Sequence, residues 1–217
     1  MHRIDNMNFH RRDNTKGFSL IEILISITIF ALITVAVISD FRSGEFKNQL
    51  SIAAQNVASE IRETQTMVSA GQPTMVCLVA SVVAGNCEDD PGSCAGDCVE
   101  NVPAGGYGLV FKYNSENIIL FGNTDATDDY DSVDEKIRDL KISPTGRVEL
   151  GQITVSGIPV EELQIIIKPP TNEMILTGPD VFGNPDEARI ELNHQGMFET
   201  REIYINRISG RIDVIKL

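Results

Sequence analysis

The sequence FSLIEILISITIFALITVAVI, residues 18–38, decides how the rest of the chain is organised. Its 21 residues include no Lys, Arg, Asp, Gly or Pro, and Glu22 carries its single charge. As a helix this stretch would extend roughly 31 Å, close to the ~30 Å hydrocarbon core of a bilayer. It is longer than the apolar region of a signal peptide, about 7–15 residues, and no small-residue cleavage site follows it. The stretch therefore predicts a transmembrane helix.

Glu22 is the unusual residue of this stretch. A carboxylate at the centre of a membrane helix costs roughly 2.5–3.5 kcal/mol on insertion scales, so an acid inside a span points to a function. In a medium of low dielectric constant, a nearby positive charge is the partner that stabilises it most. The alternative is that Glu22 lies near the headgroups or is protonated, and has no specific role.

Charge is distributed unevenly along the 217 residues, which carry a formal net charge of −13. Residues 1–17 have a net charge of +2, so the remainder carries −13 − 2 = −15. The positive-inside rule then predicts that residues 1–17 are cytoplasmic and that the acidic body is exported. An acidic body is a poor general ligand for nucleic acid, because phosphate binding depends mainly on Lys and Arg. The charged residues of the N-terminal segment are Arg3, Asp5, Arg11, Arg12, Asp13 and Lys16.

The junction between this basic segment and the apolar stretch reads Lys16-Gly17-Phe18-Ser19-Leu20-Ile21-Glu22. It resembles the prepilin processing motif of type IV pilins and of the pseudopilins of type II secretion. The resemblance implies that a prepilin peptidase cuts between Gly17 and Phe18 and that the new N-terminus at Phe18 is N-methylated. It also implies that Glu22 pairs with the N-terminal amine of a neighbouring subunit and sets the stagger in a helical filament.

An amphipathic pattern continues the apolar stretch into the body. Apolar residues recur at steps of three, four and their sums, which is typical of a helix with one buried face. Gly44 is the one weak position in this pattern, and Gly71 followed by Pro73 predicts its end. We therefore expect one helix over residues 18–69. The residues of the stripe are Leu50, Ala54, Val57, Ala58, Ile61 and Val68.

Four cysteines lie in the predicted exported part of the chain: Cys77, Cys87, Cys94 and Cys98. An even number in an oxidising compartment favours two disulfides, and four cysteines allow three connectivities. A zinc site built on Cys87, Cys94 and Cys98 is the alternative, although this spacing lacks a close C-x2-C pair.

The densest acidic segment is residues 123–135, NTDATDDYDSVDE. Hard oxygen ligands at this density are those that calcium prefers, although the spacing is not that of an EF-hand. Calcium-stabilised heads are known among pseudopilins, and the alternative is an exposed acidic turn without a ligand. The candidate calcium ligands are Asp125, Asp128, Asp129, Asp131 and Asp134. We expect no cofactor that the protein requires.

The rest of the chain predicts β-structure. The fold class is α+β, with a long N-terminal helix, transmembrane in its first half, packed on an antiparallel β-rich head with sandwich-type sheets. The predicted segments are a cleaved leader over 1–17, a transmembrane or filament-core helix over 18–38, its amphipathic continuation over 39–70 and an exported head over 71–217. The predicted strands span residues 74–83, 105–111, 117–121, 136–143, 146–150, 152–155, 163–168, 189–194, 201–206 and 211–216. Residues 85–106 are predicted as a loop, and residues 168–186 as a pair of loops around residues 173–177.

These features favour a non-enzymatic subunit of a type IV pilus or type II secretion-like filament, and a minor pilin or pseudopilin rather than a major pilin. The expected partners are other pilin-type subunits, a prepilin peptidase and the inner membrane. One alternative is a DNA-uptake pilin using Arg201, Arg207, Arg211 and Lys216, although acidic residues interrupt this cluster. A membrane-anchored enzyme that uses His194 or a cysteine is the other, and no motif for nucleophilic catalysis accompanies that histidine.

Overall fold

The computed structural model describes residues 18–79, 82–86, 97–124, 129–130, 135–196 and 198–216. By its internal contacts the chain divides into two compact units, Met1–Arg42 and Ser43–Leu217. We call the second the head unit. A single helix, α1 (Leu20–Ala70), begins in the first unit and ends in the second.

Both ends of α1 are set by local sequence. Ser19 is its N-cap, since the Ser19 hydroxyl and carbonyl both accept from the Glu22 N–H, at 3.3 Å and 3.0 Å. At the other end Gly71 has a φ of 58°, a conformation that glycine adopts without strain. Its N–H donates to the Val68 carbonyl and the Gln72 N–H to the Met67 carbonyl, which is the Schellman arrangement. The predicted single helix is confirmed to within two residues at each end.

Three antiparallel sheets follow the helix in the described residues. Sheet I has the strand order β10-β9-β4-β5-β6, sheet II has the order β13-β12-β11-β7-β8, and the small sheet has the order β2-β1-β3. The strands are β1 (Thr74–Val79), β2 (Val82–Asn86), β3 (Asp97–Asn101), β4 (Gly106–Lys112), β5 (Asn117–Asn123), β6 (Glu135–Lys141), β7 (Val148–Val155), β8 (Ile158–Val160), β9 (Glu162–Lys168), β10 (Glu173–Thr177), β11 (Glu187–His194), β12 (Thr200–Asn206) and β13 (Arg211–Lys216). The α+β class with antiparallel sheets is confirmed.

One hydrophobic core joins α1 to sheets I and II. The helix contributes the predicted stripe together with Ala53, and the three alanines among these residues allow the helix to approach the strands closely. Sheet I contributes residues such as Leu109 and Ile165, and sheet II residues such as Ile153 and Ile190. Each of these side chains is at most 5% exposed, so the amphipathic half of α1 is an integral part of the head unit.

Sheet I is also covered on its opposite face. Val110, Phe121 and Ile166 form a second buried cluster, against which Tyr130 packs. The Tyr130 ring lies 4.7 Å from the Phe121 ring, and the Tyr130 N–H donates to Gln164 Oε1 at 2.6 Å. Tyr130 is thereby fixed to the outer face of sheet I.

Several strand predictions were wrong in detail. Residues 74–83 form parts of two paired strands, β1 and β2, and β3 lies inside the predicted loop over 85–106. The predicted strands 146–150 and 152–155 are one strand, β7, with an irregular register opposite β11. β10 (Glu173–Thr177) is the segment that the predicted pair of loops over 168–186 flanks, and β8 was not expected. β8 contains Pro159 and lies at the edge of sheet II. Because proline is tolerated only in edge strands, its presence argued against a strand at this position in the sequence.

Candidate filament-assembly helix

The first turn of α1 places one carboxylate close to the start of an apolar helix. Ser19 and Glu22 occupy the N-cap and N3 positions, the spacing of a capping box. An acid in the first turn also interacts favourably with the positive end of the helix dipole. The capping position and the helix dipole therefore favour Glu22 even in an isolated helix, while its side chain is exposed.

The apolar stretch has no partner within its own chain. Every residue from Phe18 to Ile38 is exposed, including Phe18 at 79% and Phe30 at 71%. Burying a large aliphatic or aromatic side chain gains roughly 1.5–3 kcal/mol. Burial of the fourteen such side chains in this stretch would therefore gain about 20–40 kcal/mol. Among the described residues, α1 is the one helix long and apolar enough to cross a membrane.

The hydroxyl groups of this stretch are satisfied inside the helix. Ser26 donates to the Glu22 carbonyl, Thr28 to the Leu24 carbonyl and Thr34 to the Phe30 carbonyl, each at 2.8 Å. These bonds remove the cost of placing a hydroxyl in an apolar medium. Glu22 is the one charged side chain of the stretch, so its burial as a carboxylate requires a partner from outside.

The second half of α1 is held to the head unit at the point where it enters. His194, at the end of β11, is 3% exposed, and its ring lies 4.6 Å from the Phe46 ring. Its Nδ1 accepts from the Gly196 N–H at 3.0 Å, and its Nε2 lies 3.2 Å from Gln49 Oε1. These contacts fit a neutral imidazole protonated on Nε2. Burial, followed by the charge of Arg147, lowers the pKa of His194.

Further side chains fasten α1 along its length. Arg62 donates to the carbonyl of Ile212 on β13 at 2.7 Å, and Lys47 pairs with Glu199 at 2.7 Å. At the end of the helix the Tyr107 hydroxyl donates to the Gln72 carbonyl. Burial raises the pKa of Tyr107 to about 12. Side-chain hydrogen bonds therefore hold the helix to sheet I through β4 and to sheet II through β13.

The other predicted site residues divide into two groups. Gly17, Cys87, Cys94, Asp125, Asp128, Asp131 and Asp134 lie outside the described residues. Asp129 is described and exposed, and Cys77 and Cys98 lie on the paired strands β1 and β3. The calcium and zinc alternatives stay predictions.

The basic residues proposed for DNA binding have acidic neighbours. Arg207 pairs with Asp186 at 2.8 Å, and Arg211 pairs with Asp213 at 2.6 Å. Arg201 and Lys216 are opposite each other on β12 and β13, and both lower the pKa of nearby Glu199, although less than Lys47 does. Paired guanidinium groups add little positive potential, so this surface is a mixed-charge sheet face.

A comparison with protein families decides what the first turn and the apolar stretch belong to. A family model described as the prokaryotic N-terminal methylation motif matches residues 12–38. The chain carries the prepilin-type signal of type IV pilins and pseudopilins. The match begins in the basic segment, contains Gly17, Phe18 and Glu22, and ends where the apolar stretch ends. Neither the comparison with curated proteins nor that with solved structures gives a match.

The prepilin-type signal accounts for residues that the geometry alone left unexplained. It supports a processed, pilin-like subunit that assembles with other subunits of pilin type. An apolar helix behind such a signal is consistent with a membrane protein that has a single span. The contacts of His194 with Phe46 and Gln49 could not be found from the sequence, because 145 positions separate Gln49 from His194.

Proposed function

We propose that this chain is a structural, non-enzymatic subunit of a type IV pilus or type II secretion-like filament, in the class of minor pilins or pseudopilins. A prepilin peptidase cuts between Gly17 and Phe18, and Phe18 becomes the N-methylated N-terminus. The observation that carries the proposal is the apolar stretch of α1, exposed at every residue from Phe18 to Ile38, in which Glu22 is the fifth residue after the proposed cut and lies inside the matched signal.

In this proposal the membrane stores the subunit before assembly. The basic segment is cytoplasmic, the apolar stretch spans the inner membrane and the head is exported. Assembly exchanges lipid contacts of residues 18–38 for contacts with the same segment of neighbouring subunits. No cofactor is required.

Glu22 sets the stagger between neighbours. Cleavage gives Phe18 an α-ammonium group, which is the complementary charge for a carboxylate in a medium of low dielectric constant. Glu22 of one subunit then pairs with the Phe18 amine of the next, and only one axial offset brings the two together. An offset that leaves the carboxylate buried and unpaired costs several kcal/mol.

Processing is tested on the chain expressed together with a prepilin peptidase. Intact-mass and N-terminal peptide analysis of the membrane fraction should find a chain that begins at methylated Phe18. A Gly17→Val variant should keep Met1, because a β-branched side chain crowds the scissile bond. Recovery of unprocessed wild-type chain in the presence of active peptidase would overturn the processing step.

Assembly is tested with Glu22→Gln, which keeps the size of the side chain and removes its charge. We expect its incorporation into sheared filaments to fall at least tenfold, since about 1.4 kcal/mol corresponds to a factor of ten. Ser26→Ala is the matched control: it lies one turn further along the same helix face, and its hydroxyl bonds within its own helix. Equal incorporation of both variants would sink the role of Glu22.

A further inference from the structure

The register of the small sheet brings two of the four cysteines together. Cys77 on β1 is directly opposite Cys98 on β3, between the pairs Val76↔Val99 and Leu78↔Asp97. Residues directly opposite in an antiparallel pair share a face, and their Cα atoms are roughly 4.5–5.5 Å apart. Disulfides join Cα atoms about 4.4–6.8 Å apart, a range that includes the separation typical of residues in this register.

The other neighbour of β1 does not offer a cysteine at this position. On β2 the residue opposite Cys77 is Gly85. Strand pairing therefore singles out Cys98 as the partner of Cys77, and of the three connectivities one remains. We propose that Cys77 and Cys98 form a disulfide. If the chain forms two disulfides, as its even number of cysteines predicts, Cys87 and Cys94 are then left for each other. This proposal rests on the export of the head, because an oxidising compartment is needed for disulfides to persist.

The oxidation proceeds by exchange with an external disulfide, such as glutathione disulfide or that of an oxidoreductase. The thiolate of one cysteine attacks the external disulfide, forms a mixed disulfide and releases one external thiolate. The thiolate of the second cysteine then displaces the other external sulfur. Two cysteine thiols are oxidised, one external disulfide is reduced, and the two cysteine protons end on the two released thiols.

The proposed bond would join the first and last strands of the segment between α1 and sheet I, residues 74–101. In the described residues the small sheet shares no strand with sheet I or sheet II, so pairing with the larger sheets does not fix the register of its strands. β1 begins at Thr74, shortly after α1 ends, and β3 is followed directly by β4 of sheet I. A Cys77–Cys98 bond holds the entry and exit of this segment together. It also removes Cys98 from the alternative zinc site.

The pairing is tested by disulfide mapping of the full chain, extracted in detergent and reoxidised with a glutathione buffer. Trypsin leaves all four cysteines in one peptide, because the sequence has no Lys or Arg between Arg62 and Lys112. Chymotrypsin, which cuts after Leu78, combined with a protease specific for Asp and Glu, separates them. We expect the linked peptides Cys77–Cys98 and Cys87–Cys94. A bond from Cys77 to Cys87 or Cys94, or four free thiols after reoxidation, would overturn the proposal.

Two double variants provide a matched thiol count. Cys77→Ser with Cys98→Ser removes a proposed pair, so we expect no free thiol from the remaining cysteines. Cys87→Ser with Cys98→Ser removes one member of each pair, and we expect two free thiols. The reverse result in the two variants would contradict the proposed pairing.

A parallel sample is alkylated directly in membranes without reoxidation. If it is reduced while the reoxidised sample shows Cys77–Cys98, the pairing stands and the proposed export of the head fails. If both samples contain Cys77–Cys98, pairing and export are supported together. The failure of the pairing and the failure of the proposed function thus give different results.

Discussion

His194, which the sequence offered only for an enzymatic alternative, fixes the helix to the head. Its ring packs on Phe46 and accepts from the Gly196 N–H, and it must be neutral to do so. The pKa of His194 is lowered in the folded chain, so below about pH 6.5 the unfolded state takes up a proton that the folded state refuses. The stability contributed by neutral His194 is therefore present at neutral pH and is lost as pH falls through the unfolded pKa.

The first prediction concerns this pH dependence. Between pH 7 and pH 5 the free energy of unfolding of the head should fall more in the wild type than in His194→Gln, which cannot take up the proton. The variant itself should be less stable by about 1–3 kcal/mol at pH 7, because the Gly196 N–H loses its acceptor. Urea denaturation at both pH values measures the difference. The raised pKa of Glu60 acts in the opposite direction and is common to both chains. Equal pH slopes would contradict the assignment.

A second prediction at the scale of one residue concerns Gly108. A Cβ atom built at Gly108 would lie 2.2 Å from the Phe121 ring, which is fully buried between Gly108 and Tyr130. Gly108→Ala should therefore destabilise the head by about 1–3 kcal/mol, since overpacking a core displaces its side chains. A unit of this size loses about 2–4 °C per kcal/mol, which thermal denaturation resolves. An unchanged midpoint would show that the Phe121 ring moves aside without cost.

At the scale of one element, α1 was predictable because its periodicity and its stop signals agree. Six core positions, the Gly71 end and the single span all follow from spacing along the chain. The strands that were missed have local sequences that conflict with their structure. No Gly, Pro, Asn or Asp separates β1 from β2, and Gly151 reads as a gap in β7. There the Asn193 side chain occupies the space of a Cβ, with its Nδ2 atom 2.4 Å from the position of that Cβ.

The prediction for this element concerns Gly44, which lies in α1 next to the boundary between the two units. A Cβ atom at Gly44 would contact nothing within 4 Å. Gly44→Ala should stabilise the helix there by up to about 1 kcal/mol, because alanine loses less backbone entropy than glycine. Hydrogen exchange of the amides around residue 44 should slow by up to roughly fivefold. Faster exchange in the variant would contradict an ordinary helical role for this glycine.

At the scale of the whole molecule, the sequence predicted the assembly signal better than the head. Gly17, Phe18 and Glu22 belong to one short contiguous motif, which their spacing reveals. The contacts that hold α1 to the head join residues such as Arg62 and Ile212, which are 150 positions apart and leave no local pattern. The pairing of Cys77 with Cys98 is of the same kind, because only the register of β1 and β3 distinguishes it from two other connectivities.

The last prediction follows from the position of the hydrophobic core in the second of the two units. The core is built from residues of the head unit, from Leu50 on α1 to Ile212 on β13, and none of the described residues before Ser43 contributes to it. A chain that begins at Ser43 should therefore fold, remain monomeric without detergent and unfold cooperatively. The full chain should require detergent or associate, because burying the exposed apolar side chains of residues 18–38 would gain about 20–40 kcal/mol.

Sedimentation velocity and thermal denaturation of both chains make the comparison, and a third chain that begins at Ile61 is the control. That control lacks Leu50, Ala53, Ala54, Val57 and Ala58 of the buried stripe and should not fold. A misfolded Ser43 chain would show that the apolar half of α1 contributes to the head as well as to assembly.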